Sequence, residues 1–100
     1  MRVRFTRQAQ IDFDRNLAFL IERSRQGAET FLTNIDKAVD TLSRHPHVGR
    51  TAEEARRPGI RRYPLPPYVL YYRIKSETVE VLRVVHGSQS PDRNPLARLQ

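Results

Sequence analysis

The 100-residue chain lacks cysteine altogether and has no glycine-rich or serine-rich linker. Without cysteine there is no disulfide framework, and without a linker there is no sign of a second domain. A chain of this length buries roughly two-thirds of its unfolded surface, enough to fold on a hydrophobic core. We therefore predict one domain over residues 1–87 and a separate tail, 88–100, which has two prolines and little apolar content.

No stretch of the sequence is apolar over the roughly 18 residues that span a bilayer. The N-terminal segment also lacks an apolar core of signal-peptide length. We therefore expect neither membrane insertion nor secretion, and the missing cysteines favour a cytoplasmic location. His45 and His47 flank Pro46 with no acidic or cysteine ligand set near them, so we predict neither a metal site nor a cofactor.

Lysine is scarce, with two residues, yet the net charge is +7 because arginine is abundant. The excess is uneven: residues 1–43 carry a net charge of +1, residues 44–75 carry +6 and residues 76–100 carry 0. A concentrated basic face attracts an acidic or polyanionic partner, although a solvated arginine-rich surface has the same composition. The arginines predicted to bind a target or a protein partner are Arg56, Arg57, Arg61, Arg62, Arg73 and Arg83.

Residues 60–86 hold the strongest strand signals of the sequence. Tyr68–Ile74 and Thr78–Val85 concentrate β-branched and aromatic residues, and the three polar residues between them suit a short hairpin connection. The second strand is apolar on both faces, so we predict that it is central in the sheet.

Strict alternation divides the side chains of this second strand between two faces. One face receives Val79, Val81 and Val85 with Arg83, and the other receives Leu82 and Val84 with Glu80 and His86. A polar group on a central strand needs a partner, a ligand or an open surface. Arg83 is therefore predicted either to form a structural ion pair or to mark a functional surface.

The N-terminal half predicts one strand and two helices. Val3 and Phe5 alternate with arginines, as in a strand with one buried face, and Thr6 is placed to cap the helix that follows. Apolar residues then recur at helical spacing in two segments, which Gly27 separates and Pro46 ends. The stripes are Ala9, Phe13, Leu17, Leu20 and Ile21, then Phe31, Ile35, Ala38, Val39 and Leu42. Two such helices form an antiparallel hairpin that needs the sheet as cover.

A long polar connection leads from the second helix to a third strand, predicted at residues 60–65. Pro64, Pro66 and Pro67 remove backbone donors there, which indicates a sheet edge or a sharp bend. The predicted fold class is therefore α+β, with an N-terminal strand, an antiparallel helix hairpin on one sheet face, and a three-stranded antiparallel meander.

This order of elements, over about residues 1–87, resembles the ParE branch of the RelE/ParE toxin superfamily. The segments that carry the resemblance are RFTRQAQIDFDRNLAFLIER, HPHVGR, PGIRRYPLPPYVLYYRI and VEVLRVVHG. The resemblance implies a compact toxin of a type II toxin-antitoxin system, encoded beside a cognate antitoxin whose acidic or amphipathic segment wraps it. ParE-like members are associated with poisoning DNA gyrase, whereas RelE-like members cut messenger RNA on the ribosome.

The two branches make different demands on chemistry. Cleavage of RNA by its own 2'-hydroxyl needs a proton acceptor, a proton donor and positive charge over the phosphate. Candidates are Arg61 and Arg83 for the phosphate, His86 for proton transfer, and Tyr71 or Tyr72 as proton donor. A hydrogen-bonded structural role for His86 is the alternative.

The RelE-like pattern usually supplies an aromatic acid or base near the C-terminus together with several lysines. Here the tail after His86 has no tyrosine, histidine or lysine, and the whole chain has two lysines. We therefore predict a ParE-like toxin that inhibits DNA gyrase by binding and is not an enzyme. The alternatives are a ribosome-dependent endoribonuclease and an inactive family member that only binds its antitoxin.

Overall fold

The computed structural model describes residues 1–87, so the predicted tail, 88–100, lies outside the described residues. Its elements are β1 Arg2–Phe5, α1 Arg7–Arg23, α2 Arg25–Arg44, β2 Arg50–Thr51, β3 Arg61–Leu65, β4 Tyr68–Lys75 and β5 Thr78–His86. The two helices pack on one face of a five-stranded sheet. The predicted α+β class, with a helix hairpin on the sheet, is confirmed.

The strand order is β1-β5-β4-β3-β2, with β1 parallel to β5 and all other neighbours antiparallel. The β3-β4-β5 meander and the central position of β5 agree with the prediction. The two-residue strand β2 was not predicted, because it lies within the polar connection. It pairs with Arg61 and Arg62 and leaves the edge at Pro64 uncovered, where a missing donor matters little. The Pro66–Pro67 peptide bond is cis.

The break between the helices lies at Ser24, and the prediction that Gly27 ends the first helix was wrong. Ser24 adopts an extended backbone, with φ of −161° and ψ of 105°. Its hydroxyl oxygen accepts from the Gly27 amide at 3.0 Å, so the serine ends α1 and caps α2 while the glycine lies in the first turn of α2. The predicted cap at Thr6 is confirmed, since its hydroxyl oxygen accepts from the Ala9 amide at 3.2 Å.

The helix-facing core confirms most of the two predicted stripes. Ile35 and Leu42 are buried, and Phe13, Leu17 and Val39 pack against the core while partly buried; Val3, Phe5 and Tyr72 join from the sheet. Ile21 departs from the prediction, because 62% of its surface is exposed. It follows Leu20 directly, and neighbouring helical residues point about 100° apart, so only one of the two faces the sheet.

A β-bulge inverts the predicted faces at the end of β5. Tyr72 lies opposite Val81 and Tyr71 lies opposite Arg83, which leaves Leu82 without an opposite residue on β4. An extra residue changes the parity of every side chain beyond it. Val84 therefore joins Val79 and Val81 under the helices, and Val85 joins Leu82 on the other face, contrary to strict alternation.

The connection between β4 and β5 is a two-residue turn rather than three residues, because Lys75 belongs to β4. Ser76 and Glu77 form it with φ of 51° and 59°. Positive φ at both central positions is the geometry of the type I′ hairpin turn, which matches the twist of antiparallel strands.

The sheet face opposite the helices, here called the outer face, has a core of its own. Ala52 and Ile60, from the segment between β2 and β3, pack on residues of β4 and β5; the full cluster is Ala52, Ile60, Val69, Tyr71, Leu82 and Val85. The polar connection predicted from the sequence therefore folds back over part of the outer face. This fold-back brings Glu54 of the connection to Arg62 and Tyr71 of the sheet.

Candidate functional site

The segment His45–Arg50, here called the basic loop, is fastened to the sheet by one buried phenol. The Tyr72 hydroxyl donates to the Pro46 carbonyl oxygen at 2.7 Å and accepts from the Gly49 amide at 2.8 Å. Tyr72 is fully buried, and this burial raises its pKa above the ordinary value of 10.0. A side chain at Gly49 would meet the Tyr72 hydroxyl at 2.6 Å and the Arg62 carbonyl oxygen at 2.7 Å, so glycine is required by close packing.

Arg61 closes the same loop from β3. Its Nη1 donates to the carbonyl oxygen of Gly49 at 2.7 Å and to that of His47 at 3.3 Å. The guanidinium is thus held by the chain's own backbone, and it satisfies carbonyl groups that the irregular loop leaves without partners. Arg61 positions the basic loop rather than projecting from it.

On the outer face, Glu54 binds two of the candidate residues, Arg62 and Tyr71. It accepts from Arg62 Nη1 and from the Tyr71 hydroxyl, each at 2.8 Å. Burial, followed by the hydrogen bond and charge of Glu54, raises the pKa of Tyr71 to about 12. A phenol with so high a pKa is a weak proton donor at neutral pH.

Glu80, also on the outer face, lies between Arg4 and Arg73 and binds both. Its Oε1 accepts from Arg73 Nε at 2.8 Å, and its Oε2 accepts from Arg4 Nη2. The hydrogen bond from Arg73 is the main reason that the pKa of this carboxyl lies below its usual range, although burial opposes it. Arg73 and Arg4 therefore both stabilise the ionised form of this carboxyl group.

Arg83 forms the ion pair that was one of its two predicted alternatives. Asp12 of α1 accepts from its Nε at 2.7 Å and its Nη2 at 3.0 Å, and also from the Val84 amide at 3.0 Å. The two side chains are only 8% and 7% exposed. The pair ties the helix hairpin to β5 at the bulge and leaves Arg83 little surface for a partner.

Three of the ribonuclease candidates, Arg61, Arg83 and His86, are not brought together. His86 is exposed, and its ring meets the edge of Tyr68 with centroids 5.6 Å apart. Along β4, the position opposite His86 lies four residues from the position opposite Arg61, which is about 13 Å of strand. Arg83 is engaged with Asp12. No common phosphate site is formed by these three side chains.

Arg56 and Arg57 lie exposed between β2 and β3. They project from the segment that covers the outer face, close in sequence to Glu54 and its partner Arg62. Arg56 and Arg57 are exposed, and the half-buried Arg62 still has 42% of its side chain exposed. We call these three residues the arginine patch.

An apolar groove on the helix hairpin was missed by the sequence analysis. It has a volume of about 390 Å³ and is lined by Leu17, Ile21, Arg25, Ala28, Glu29 and Leu32. Ile21 and Leu32 are 62% and 41% exposed. The available signal was Leu32, an apolar residue outside the second stripe. Exposed apolar side chains that line a groove are typical of a protein-binding surface.

Comparisons with known proteins decide the family. A family model described as the ParE toxin of type II toxin-antitoxin systems, parDE, matches residues 3–91. The chain belongs to the ParE toxin family. The predicted resemblance to the ParE branch of the RelE/ParE superfamily is therefore confirmed, and the chain is a toxin of the type II class, whose partner is an antitoxin.

Curated relatives agree with this assignment. Toxin ParE1 of Mycobacterium tuberculosis is 37% identical over 68 residues, which are 67% of this chain and 68% of that protein. Toxin ParE3 of Caulobacter vibrioides is 32% identical over 87 residues, 86% of each chain. Toxin RelE1 of the same organism is 30% identical over 80 residues, 80% of this chain and 86% of that protein.

Two solved structures share the ParE-type fold. A chain of the chromosomal ParDE toxin-antitoxin system of P. aeruginosa superposes with a TM-score of 0.68 at 22% identity, and the YoeB dimer of Staphylococcus aureus with 0.62 at 11%. Each match covers 86% of this chain and 95% of the other. Within residues 1–87, no helix is long and apolar enough to cross a membrane.

Proposed function

We propose that this ParE toxin acts in the cytoplasm by binding DNA gyrase, without chemistry on a substrate. The proposal is supported mainly by the separation of Arg61, Arg83 and His86. Arg61 binds the basic loop, Arg83 pairs with Asp12, and His86 packs against Tyr68 at the end of β5. In the arginine patch, in contrast, Arg56 and Arg57 are exposed, and the segment that carries them packs on the outer face through Ala52 and Ile60. Such a surface suits recognition of a large partner better than proton transfer.

The proposal predicts that the purified toxin inhibits supercoiling by gyrase and leaves ribosome-bound messenger RNA intact. Replacing Arg56 and Arg57 together by Glu should weaken inhibition roughly 10-fold, because a charge reversal at an interface slows association and repels an acidic partner. The measurement is the toxin concentration that halves supercoiling by purified gyrase.

Two controls separate this mechanism from its alternatives. Reversing Arg15 and Lys37, which lie on the helices, makes the same charge change and should leave inhibition unaltered. His86→Ala should have little effect on gyrase inhibition.

A second candidate, the ribosome-dependent endoribonuclease, is favoured by the likeness to a protein named RelE1 and by the exposure of His86. Message cleavage that a folded His86→Ala variant loses would establish that candidate instead, and activity on neither target would indicate an inactive member.

We further propose that the antitoxin covers the apolar groove of the helix hairpin and extends to the sheet edge. Ile21 and Leu32 provide apolar anchor positions, and the net charge of +7 attracts an acidic segment. Apolar anchors govern how long such a complex lasts, whereas the long-range charge governs how fast it forms.

The antitoxin should therefore associate more slowly as salt rises from about 50 to 500 mM, because charges are screened beyond about 10 Å at 0.1 M. Stopped-flow or surface-based kinetics with the purified cognate antitoxin measures this. Ile21→Asp should mainly accelerate dissociation, while Val48→Asp, at a 50% exposed site on the basic loop, is the matched control. An association rate independent of salt, or equal dissociation rates for both variants, would contradict the assignment.

A further inference from the structure

The outer face carries two cross-strand rows of polar residues beside the β4-β5 turn. The register of β1, β5 and β4 places Arg4, Glu80 and Arg73 side by side in the first row, and Arg2, Thr78 and Lys75 in the second. The rows are two residues apart along the strands, which is about 7 Å. Both rows face away from the helices, since the alternate residues Val3 and Val79 point into the helix-facing core.

The first row is a complete anion site filled by the protein itself. The central Glu80 gives one carboxylate oxygen to each flanking arginine. Glu80 is 7% exposed, and both of its oxygens are engaged. An anion between two cations on adjacent strands is therefore an arrangement that this sheet already stabilises.

The second row repeats the flanking cations but not the central anion. Arg2 and Lys75 occupy the positions of Arg4 and Arg73, and the hydroxyl of Thr78 replaces the carboxylate between them. Within residues 1–87, neither Arg2 nor Lys75 has an ion pair or a side-chain hydrogen bond. The row opens into a groove of about 260 Å³ lined by Arg2, Arg4, Lys75, Ser76, Thr78 and Glu80.

We propose that the second row, called here the anion row, binds a phosphate of the backbone of duplex DNA. Its three donors line one groove, with Arg2 and Lys75 on the strands to either side of Thr78. A carboxylate has two oxygens in one plane and is satisfied by two arginines, as Glu80 is. A tetrahedral phosphate offers oxygens to a third donor, and arginine, lysine and threonine are the side chains that contact DNA phosphates.

The groove favours a double strand over a single strand. Proteins that hold single-stranded nucleic acid add aromatic side chains on which the bases stack. None of the six residues that line this groove is aromatic. Contact through charge and hydroxyl groups alone matches a duplex, whose phosphates face outward while its bases stay stacked.

The anion row is held in place by its surroundings. Arg2 is fixed by the pairing of β1 with β5, and next to it the Ser43 hydroxyl donates to the Met1 carbonyl oxygen at 2.8 Å. The Thr78 hydroxyl lies 3.5 Å from the Ser76 carbonyl oxygen, at the limit of a hydrogen bond, so it can rotate toward a ligand. Glu80 does not repel a phosphate strongly, because Arg4 and Arg73 already neutralise it. This inference does not depend on gyrase being the target.

The test is fluorescence anisotropy with a labelled 20-base-pair duplex and the full chain, titrated at several salt concentrations. Arg2→Gln with Lys75→Gln should bind roughly 10-fold more weakly at low salt and should reduce the slope of log affinity against log salt by about one, the signature of one lost phosphate contact. Thr78→Val keeps all charges and should lower affinity about 3-fold with the slope unchanged, because only the third donor is lost.

Arg15→Gln with Lys37→Gln removes the same two kinds of charge from the helices and should bind like the unchanged protein. Equal losses in the two double variants would overturn the site, since they would indicate general charge attraction. If the Thr78→Val variant bound DNA with unchanged affinity, the hydroxyl would not be a third donor to the phosphate, and the proposal would be overturned. Tighter binding of a single-stranded RNA of the same length, or of an acidic peptide, at the anion row would likewise exclude duplex DNA as its ligand.

Discussion

Replacing Asp12 by Ala is expected to destabilise the fold by about 3 to 5 kcal/mol, the range found when one partner of a buried ion pair is removed. Both side chains of the pair are less than a tenth exposed. The substitution would leave the Arg83 guanidinium buried without the Asp12 carboxylate. It would also remove the hydrogen bond of 3.0 Å that the Val84 amide donates to Asp12. The loss is a large fraction of the roughly 5 to 15 kcal/mol that holds a typical domain together.

Urea denaturation followed by circular dichroism measures this effect. The matched control is Asp40→Ala, since Asp40 pairs with Arg44 at 3.3 Å on the exposed surface of α2 and should contribute no more than about 0.5 kcal/mol. Replacing both buried partners, Asp12→Leu with Arg83→Met, should recover much of the loss because no charge is then left unpaired. A loss below about 1 kcal/mol for Asp12→Ala would show that the pair is not a structural connection.

Gly49→Ala is expected to cost about 1 to 3 kcal/mol and to displace the basic loop. The added methyl group would lie 2.7 Å from the Arg62 carbonyl oxygen, and a backbone atom in a sheet moves only with its strand. The same change pushes on the Tyr72 hydroxyl, which holds the loop through Pro46 and Gly49. Hydrogen exchange of the loop amides, together with the free energy of unfolding, would report both effects.

Gly27→Ala is the matched glycine control. A methyl group there first meets the Ser24 side chain at 3.2 Å rather than a sheet backbone, and alanine is favoured over glycine in a helix by about 1 kcal/mol. Equal stability of the Gly49→Ala and Gly27→Ala variants would mean that the loop is not held as described.

Tyr72→Phe removes only the hydroxyl that binds Pro46 and Gly49. It should loosen the loop and lower the free energy of unfolding by about 1 to 3 kcal/mol, because the two loop groups lose their hydrogen-bond partner.

The sequence predicted the order of elements well because hydrophobic periodicity is a local signal. The helix stripes, the Thr6 cap and the β4-β5 hairpin all rest on residues within a few positions of one another. The errors arose where two local signals competed or where one extra residue changed the pattern. Helix α1 ends at the Ser24 cap, three residues before Gly27. The bulge at Leu82 places Val84 on the sheet face opposite to the one that strict alternation predicts.

The roles of the arginines could not be predicted, because their partners are distant in sequence. Arg83 meets Asp12 across 71 positions, and Arg4 meets Glu80 across 76. Periodicity gives the face on which a side chain lies but not the side chain opposite it on another element. The sequence shows where the basic residues are concentrated, whereas tertiary contacts decide that Arg61 and Arg83 support the fold while Arg56 and Arg57 lie exposed.

The parallel pairing of β1 with β5 has a consequence for how the protein is made. Within residues 1–87, the first strand lies beside the last, with Arg2 opposite Thr78 and Phe5 opposite Val81. During synthesis, β1 and α1 leave the ribosome several seconds before β5 does, at roughly 5 to 20 residues per second. Until β5 emerges, β1 has no strand to pair with, and Asp12 lacks its partner Arg83. The sheet closes only when almost all of residues 1–87 are available, so a prematurely terminated chain cannot complete the fold on which its binding surfaces depend.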